Sequence, residues 1–567
     1  MEIKKENKII IYQIFCRLFG NSNSHCIHNG SIEENGCGKF SDFTSKALNE
    51  IKKLGVTHIW YTGIIEHATQ TDYSNYNIRR DHPAIVKGKA GSPYAIKDYY
   101  DVDPDLANDV PNRMKEFEDL VEHTHQADLK FIIDFVPNHV ARQYHSDSKP
   151  KHVKDLGETD NPENAFSPYN NFYYIPQTVL NGQFDMKGSA PKVYYESPAK
   201  ATGNDKFDAF PGINDWYETI KLNYGIDYAN GGTRHFYPVP DTWLKMLDIL
   251  FFWASKGVDG FRCDMAEMVP VDFWKWAISQ VRYKFPDIIF IAEVYKPEEY
   301  HNYIFNGGFN YLYDKVGLYE PLRDVACGYK SASDITRCWQ NLGGIEKQML
   351  NFIENHDEQR FASTFLTGNG IKGIPAMIVA ACINVNPVMV YFGQEFGEHG
   401  MDEEGFSGKD GRTTIFDYWS VETVRRWRNE NKFDGKLLTE KQKQLQNFYN
   451  KLLNLCNQEK AIYEGQFFDL MYVNFGKTDF NVHKHYVFFR KQGNELLLII
   501  ANFDKRASKV SVNIPSHAFD FLQIPQNESY KVTELLSGKE EILSLLPYKP
   551  TETLVEGLSG KILKFIL

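Results

Sequence analysis

The sequence predicts an α/β protein built on a closed (β/α)₈ TIM barrel, with an irregular domain inserted after the third strand and an antiparallel β domain at the end. Three observations carry that prediction. Short apolar runs alternate with amphipathic stretches as far as about residue 459, and eight such runs can be counted. Two of them terminate in carboxylates, Asp264 and Glu293, and a carboxylate at the end of a buried parallel strand stands at the mouth of a barrel, where that fold keeps its chemistry. Past Glu459 the helical period disappears and strand-like runs such as Tyr486-Val-Phe-Phe-Arg490 and Leu496-Leu-Leu-Ile-Ile-Ala501 take over.

The elements follow in order. Ile9–Phe15 reads as the first strand, and 42–53 as a helix. Gly55–Tyr61 is the second strand. After a long loop, 111–128 is a helix, with Met114, Phe117 and Leu120 on one face. Phe131–Phe135 is the third strand. From about Val140 to Thr233 the chain is rich in Asn, Asp, Gly, Pro and Tyr and keeps no long period. A stretch of that length should not be one structureless loop, which predicts a small inserted domain. Regular units resume with a helix at 241–256, a strand at 258–263, a helix at 271–283 and a strand at 288–292. Runs at 309–313, 349–353 and 388–391 supply the last three strands. Repeated strand–helix units predict a parallel sheet with right-handed crossovers. The expected division is 1–139 and 236–459 for the two parts of the barrel, 140–235 for the insertion and 460–567 for the C-terminal β-sandwich.

A chain of 567 residues is too long for one core. Its formal charge of −11 argues against a nucleic-acid partner and says little against a neutral ligand such as a sugar. The eight cysteines are scattered, with no CxxC pair, so zinc is not indicated; several lie in apolar runs and read as small buried hydrophobes of a reducing compartment. No apolar run reaches membrane-spanning length, and the N-terminal stretch lacks the ordered parts of a signal peptide. A cytoplasmic protein is expected. Oligomeric state is not legible.

The acidic pair has a chemical reading of its own. Arg262, two residues before Asp264, shares its face of the strand and is expected to hold that carboxylate ionised. Glu293, behind Ile291 and Ala292, is expected in apolar surroundings that raise its pKa. Two carboxyls with pKa values pushed apart are what cleavage of a glycosidic bond requires.

Four segments then line up. Phe131-Ile-Ile-Asp134-Phe-Val-Pro-Asn138-His139, Gly260-Phe-Arg262-Cys-Asp264, Ile291-Ala-Glu293 and Phe352-Ile-Glu-Asn-His356-Asp357 resemble, in order, the signature segments of the α-amylase superfamily (glycoside hydrolase family 13). Gly55–Tyr61, the Tyr94-to-Asp98 stretch and Asn386–Glu395 resemble further segments of it. The resemblance covers about residues 8–430. It implies Asp264 as nucleophile, Glu293 as general acid/base and Asp357 as the carboxylate that binds the distorted sugar. It also implies Tyr94, Asp98, His139, Arg262, His356 and Arg360 as substrate-binding residues. Asp134 is expected to orient its neighbours; for Arg360 and Lys221 a solvated charge and a subsite contact stay equally open.

The implied reaction is retaining hydrolysis of α-glucosidic bonds in α-glucan oligo- or polysaccharides, with no organic cofactor. Departures bear on the finer reading. Met268 stands where the family often has His or Lys in a leaving-group subsite. Thr219-Ile-Lys221-Leu-Asn223 is similar to the form seen in neopullulanase-like and cyclomaltodextrinase-like members. Asn138 resembles a calcium-ligating position, but the loop Asn21–Gly38 has no aspartates, so a structural calcium is allowed and not implied. A transglycosylase or isomerase on the same site and a glycan-binding barrel without catalysis are the alternatives; product analysis separates them.

Overall fold

The computed structural model describes residues 8–400, 406 and 408–567. Among them, eight parallel strands make one sheet: β1 (Ile10–Phe15), β2 (His58–Thr62), β3 (Lys130–Phe135), β4 (Gly260–Cys263), β5 (Ile289–Ala292), β6 (Tyr311–Tyr313), β7 (Met349–Leu350) and β8 (Val388–Tyr391). Nearly every residue of these strands is buried, which is why they read as unbroken apolar runs. β1 pairs with β8 at one end of the order. At the other, Asn351, just past β7, bridges to Val388, and Met389 N donates to the Asn351 carbonyl at 2.8 Å. The sheet therefore closes into a barrel.

Helices clothe it as the period predicts: α1 (Ser45–Lys53), α2 (Arg113–Gln126), α3 (Asp241–Ser255), α4 (Val271–Lys284), α5 (Glu320–Cys327), α6 (Ile335–Gln340), α7 (Ile374–Cys382), α8 (Glu422–Arg428) and α9 (Glu440–Gln458). α1 is typical: Thr44 caps it by accepting from Ala47 N, and Ala47, Leu48 and Ile51 form its buried stripe. One unit departs from the pattern, since β5 is followed by a short π-helical turn, Asn302–Gly307.

After β3 the chain leaves the barrel. His139–Ala141 pairs antiparallel with Thr219–Lys221, and two smaller ribbons, Tyr174–Ile175 with Ala199–Lys200 and Ile226–Asp227 with Thr233–Arg234, hold the intervening loops. At the other end of the chain, β9 (Gln466–Asp469), β10 (His485–Gln492), β11 (Glu495–Asn502), β12 (Ser508–Val512), β13 (Asn527–Glu534), β14 (Glu540–Leu545), β15 (Thr551–Val555) and β16 (Ser559–Ile566) follow. They form a six-stranded antiparallel sheet, ordered β9-β10-β11-β16-β13-β14, and a ribbon of β12 with β15. Length alone predicts more than one core, but one apolar core runs from the barrel into this domain because α7 packs against both, and a small separate cluster serves the insertion. α7 lies between the two and is buried from Pro375 to Cys382, which accounts for its lack of a polar face. Among the described residues, no helix is long and apolar enough to cross a membrane.

Candidate active site

The site is assembled by register. Asp134 on β3 stands opposite Arg262 on β4, and Arg262 stands opposite Ile291 on β5. Continuing each strand to its C-terminal end brings Asp264 and Glu293 to the same rim, with Asp357 reached from β7. A cavity of about 390 Å³ opens there, walled by Tyr94, His139, Asp264, Met265, Glu293 and Asp357 among others.

Arg262 organises its floor. The side chain is fully buried, with Trp60, Tyr94 and Tyr313 rings around the guanidinium at 5.1–5.4 Å. Nη1 donates to Asp264 Oδ1 at 2.8 Å and to Asp134 Oδ1 at 3.3 Å, and Nε donates to the Tyr313 hydroxyl at 3.1 Å. Nη2 stands 2.8 Å from Glu293 Oε2 as an ion pair without hydrogen-bond alignment. One cation thus serves three carboxyls.

That sharing corrects two expectations. Arg262 does not hold Asp264 in the ordinary carboxylate range. Burial pushes the Asp264 carboxyl well up, Arg262 opposes, and the charges of Glu293, Asp134 and Asp357 add to the rise. Asp134 is pushed up to about 6 by burial, against Arg262 and the Trp60 indole N–H. Carboxyls crowded around one guanidinium oppose one another's ionisation. Nor are the surroundings of Glu293 apolar. Oε2 accepts from Met265 N at 2.7 Å, and Oε1 accepts from the Tyr295 hydroxyl. Met265 adopts a left-handed backbone, φ +43°, at this turn, a conformation unusual for a residue other than glycine.

The other residues named from the sequence divide. Tyr94 and His139 reach the cavity wall. Burial, with Lys221 and Lys87 nearby, lowers His139 to about 3, so its imidazole is neutral. Asp357 also lines the wall, and burial raises its carboxyl against Arg262, Lys315 and Arg412. His356 lies beneath the floor, its side chain fully buried. Nδ1 faces the Gln13 amide nitrogen at 2.8 Å, and Nε2 faces the Tyr94 hydroxyl at 2.5 Å and Asp357 Oδ2 at 3.2 Å. It orients two wall residues and does not itself reach the cavity.

Asp98 is displaced further. It lies on Ile96–Val102, which pairs with Ile65–His67. Its carboxylate is fully buried and accepts from the backbone N–H groups of Tyr100, Asp147 and Ser148, so it fastens a loop and is not on the cavity wall. Arg360 is likewise buried and off the wall. Nη1 meets Glu354 Oε2 at 3.0 Å, Nε donates to Thr413 at 2.8 Å, and the guanidinium lies 4.0 Å from the Tyr391 ring centroid. It braces the 411–413 segment and is neither a solvated charge nor a subsite contact.

Several wall residues were not named from the sequence: Trp216, Tyr295, Lys315, Arg412 and Phe416. Tyr295, two residues beyond Glu293, shared its local context and could have been found. Trp216 and Phe416 arrive on loops with no local signature.

The calcium expectation meets a definite geometry. Asn138 Oδ1 accepts from Lys221 Nζ at 2.8 Å, and the same ammonium lies 2.5 Å from Asp205 Oδ1. The position that resembles a calcium ligand is thus filled by a buried lysine, and its residues do not fit a divalent cation. In a second acidic group, Glu66, Asp98 and Asp101, Asp98 accepts from backbone N–H groups and Asp101 pairs with Arg113, while Glu66 lies 3.8 Å from Lys97 Nζ and its Oε2 is buried without a hydrogen-bond partner.

Comparison with known proteins agrees with this geometry. Residues 13–465 match the family described as "Alpha amylase, catalytic domain". "Alpha-amylase 2" and "Alpha-amylase 3" of Dictyoglomus thermophilum are 22% and 24% identical to the chain, each over 81% of it. The match spans 64% of the length of the former and 78% of the latter. The crystal structure of a noncanonic maltogenic alpha-amylase from Thermotoga neapolitana superposes with a TM-score of 0.62 at 20% identity, covering 99% of both chains. An alpha-amylase from Geobacillus thermoleovorans, complexed with acarbose, superposes at 0.64 with 18% identity over the whole of both chains. At such identities the structures speak to the fold. The family match, over most of the length, decides membership: this chain belongs to the alpha-amylase family.

Proposed function

We propose that the protein is a retaining glycosidase (EC 3.2.1.-) acting on α-glucosidic bonds of α-glucan oligo- or polysaccharides. The observation that carries this is the single guanidinium of Arg262, held between Asp264 and Glu293 with Asp357 on the same cavity. The names of the relatives support the substrate class.

In this reading Asp264, ionised, attacks the anomeric carbon while Glu293 gives its proton to the leaving oxygen. The glycosidic C–O bond breaks as the Asp264 ester forms. Glu293, now a carboxylate, takes a proton from water, whose oxygen displaces Asp264. Arg262 screens the two carboxyls from each other in both half-reactions. Asp357 and the neutral His139 face the sugar hydroxyls, and Tyr94 offers its ring face to the sugar, with His356 fixing its hydroxyl. No organic cofactor takes part.

The test is stereochemical. Proton NMR of the first product from a maltodextrin should show the α-anomer, and Asp264→Asn should lower turnover by several orders of magnitude. Initial release of the β-anomer would exclude Asp264 as nucleophile.

A further inference from the structure

The cleft does not end at its wall. Met265, which lines the catalytic cavity, also lines a second one of about 510 Å³, bounded by Asp205, Tyr228, Arg234, Glu267 and Lys296. Tyr228 in turn lines a third, of about 300 Å³, with Phe166, Tyr173 and Phe207. The three cavities are neighbours, with Met265 a shared wall of the first two and Tyr228 of the last two. The far one is aromatic. Phe207 and Tyr228 have ring centroids 5.0 Å apart, and both pack on Tyr173 at 5.3 and 5.6 Å. Tyr173 is itself buried, with its hydroxyl bonded to the Ile226 carbonyl at 2.8 Å. Phe207 and Tyr228 nevertheless stay 40% and 39% exposed. The middle cavity carries hydrogen-bonding groups of both signs, with Asp205 and Glu267 against Arg234 and Lys296.

We infer that these cavities form one track for a single α-glucan chain, and that the Phe207–Tyr228 pair is a remote stacking platform that gives the enzyme its preference for long chains. The occupant follows from the chemistry. Ring faces pack the apolar faces of sugars, the mixed-sign polar stretch suits an uncharged chain rich in hydroxyls, and a place next to the catalytic cavity across Met265 points to the chain being cut as the occupant. Tyr173 beneath the two rings pre-organises them, which limits the ordering cost on binding. The inference rests on the proposed glycosidase reading and goes beyond it in naming the residues that read chain length.

The experiment compares kcat/KM on a long maltodextrin and on maltotriose. In the wild type the long substrate should be favoured. Phe207→Ala and Tyr228→Ala should each cut the ratio of long-chain to maltotriose kcat/KM by roughly threefold to tenfold, the scale of one aromatic contact, while Tyr228→Phe should restore it. Binding of maltodextrin to the Asp264→Asn protein, with and without Phe207→Ala, reads the same platform without turnover. An unchanged ratio in both alanine variants, or a wild type with no preference for length, would overturn the track. A wild type that cleaves no α-glucan at all would instead overturn the glycosidase reading, so the two failures are distinguishable.

Discussion

Arg262 shows how little room the chemistry leaves at the residue scale. Its guanidinium meets Asp134, Asp264 and Glu293 at 2.8–3.3 Å, so a change in any one carboxyl is felt by the others. Because the charge of Asp134 is among the causes that raise Asp264, Asp134→Asn should lower the Asp264 pKa. Asp264 must be ionised to attack, so the acid limb of the kcat/KM profile should move to lower pH; a limb that stays in place would mean that Asp264 does not govern it. Glu293 admits a sharper test. As an acid it matters for a poor leaving group and little for fluoride. Glu293→Gln should lose most activity on an oligosaccharide yet still form the glycosyl-enzyme from α-maltosyl fluoride, and azide should rescue turnover on the fluoride. Equal losses on both substrates without rescue would make Glu293 structural.

At the scale of elements, the junction between the barrel and its insertion depends on a buried ammonium. Lys221 lies at the end of the strand that pairs with His139–Ala141, and its Nζ ties Asn138 to Asp205. Burial lowers its pKa, and Asp205 opposes. Lys221 and Asn138 are buried while Asp205 is partly exposed; leaving the Asn138 acceptor without its donor costs about 1–3 kcal/mol, so Lys221→Ala should lower Tm by about one to three degrees. The wild type should unfold at the same temperature with and without EDTA. A marked loss of Tm in EDTA would mean that a metal is structural here after all.

For the whole molecule, the question is whether the barrel and the C-terminal sheet unfold together. α7 is buried between them, and Gly560 on β16 approaches it so closely that a Cβ there would meet Ile378 Cδ1 at 2.7 Å. Arg490 on β10 is fully buried and donates to the carbonyls of Ile383, Ala461, Ile462 and Gly465 at 2.7–3.0 Å, stitching the sheet to the segments that follow α7 and α9. With one continuous core, calorimetry should record a single unfolding transition. Two separated transitions would show that the interface carries little of the stability.

What the sequence determined by itself was the barrel and its acidic triad. Eight strands were legible because a strand buried on both faces must be apolar throughout. Asp264 and Glu293 were legible because each directly follows a strand end, which sets where its side chain goes; Asp357, well past the end of β7, was legible only through the resemblance of its segment. Asp134 is expected from the sequence to orient its neighbours, and strand register makes Arg262 one of them. Only the tertiary structure decided the remainder. Asp98, Arg360 and His356 carry the right chemistry for a sugar site, but backbone N–H groups, Glu354 and Gln13 claim them first. Trp216 and Phe416 reach the cleft from distant loops. Lys221 fills the place suited to a cation because Asp205 and Asn138, remote from each other in sequence, converge on it. The division is physical: periodicity and strand ends are local properties of a chain, while the partner that satisfies a buried charge is chosen by packing among segments far apart in sequence.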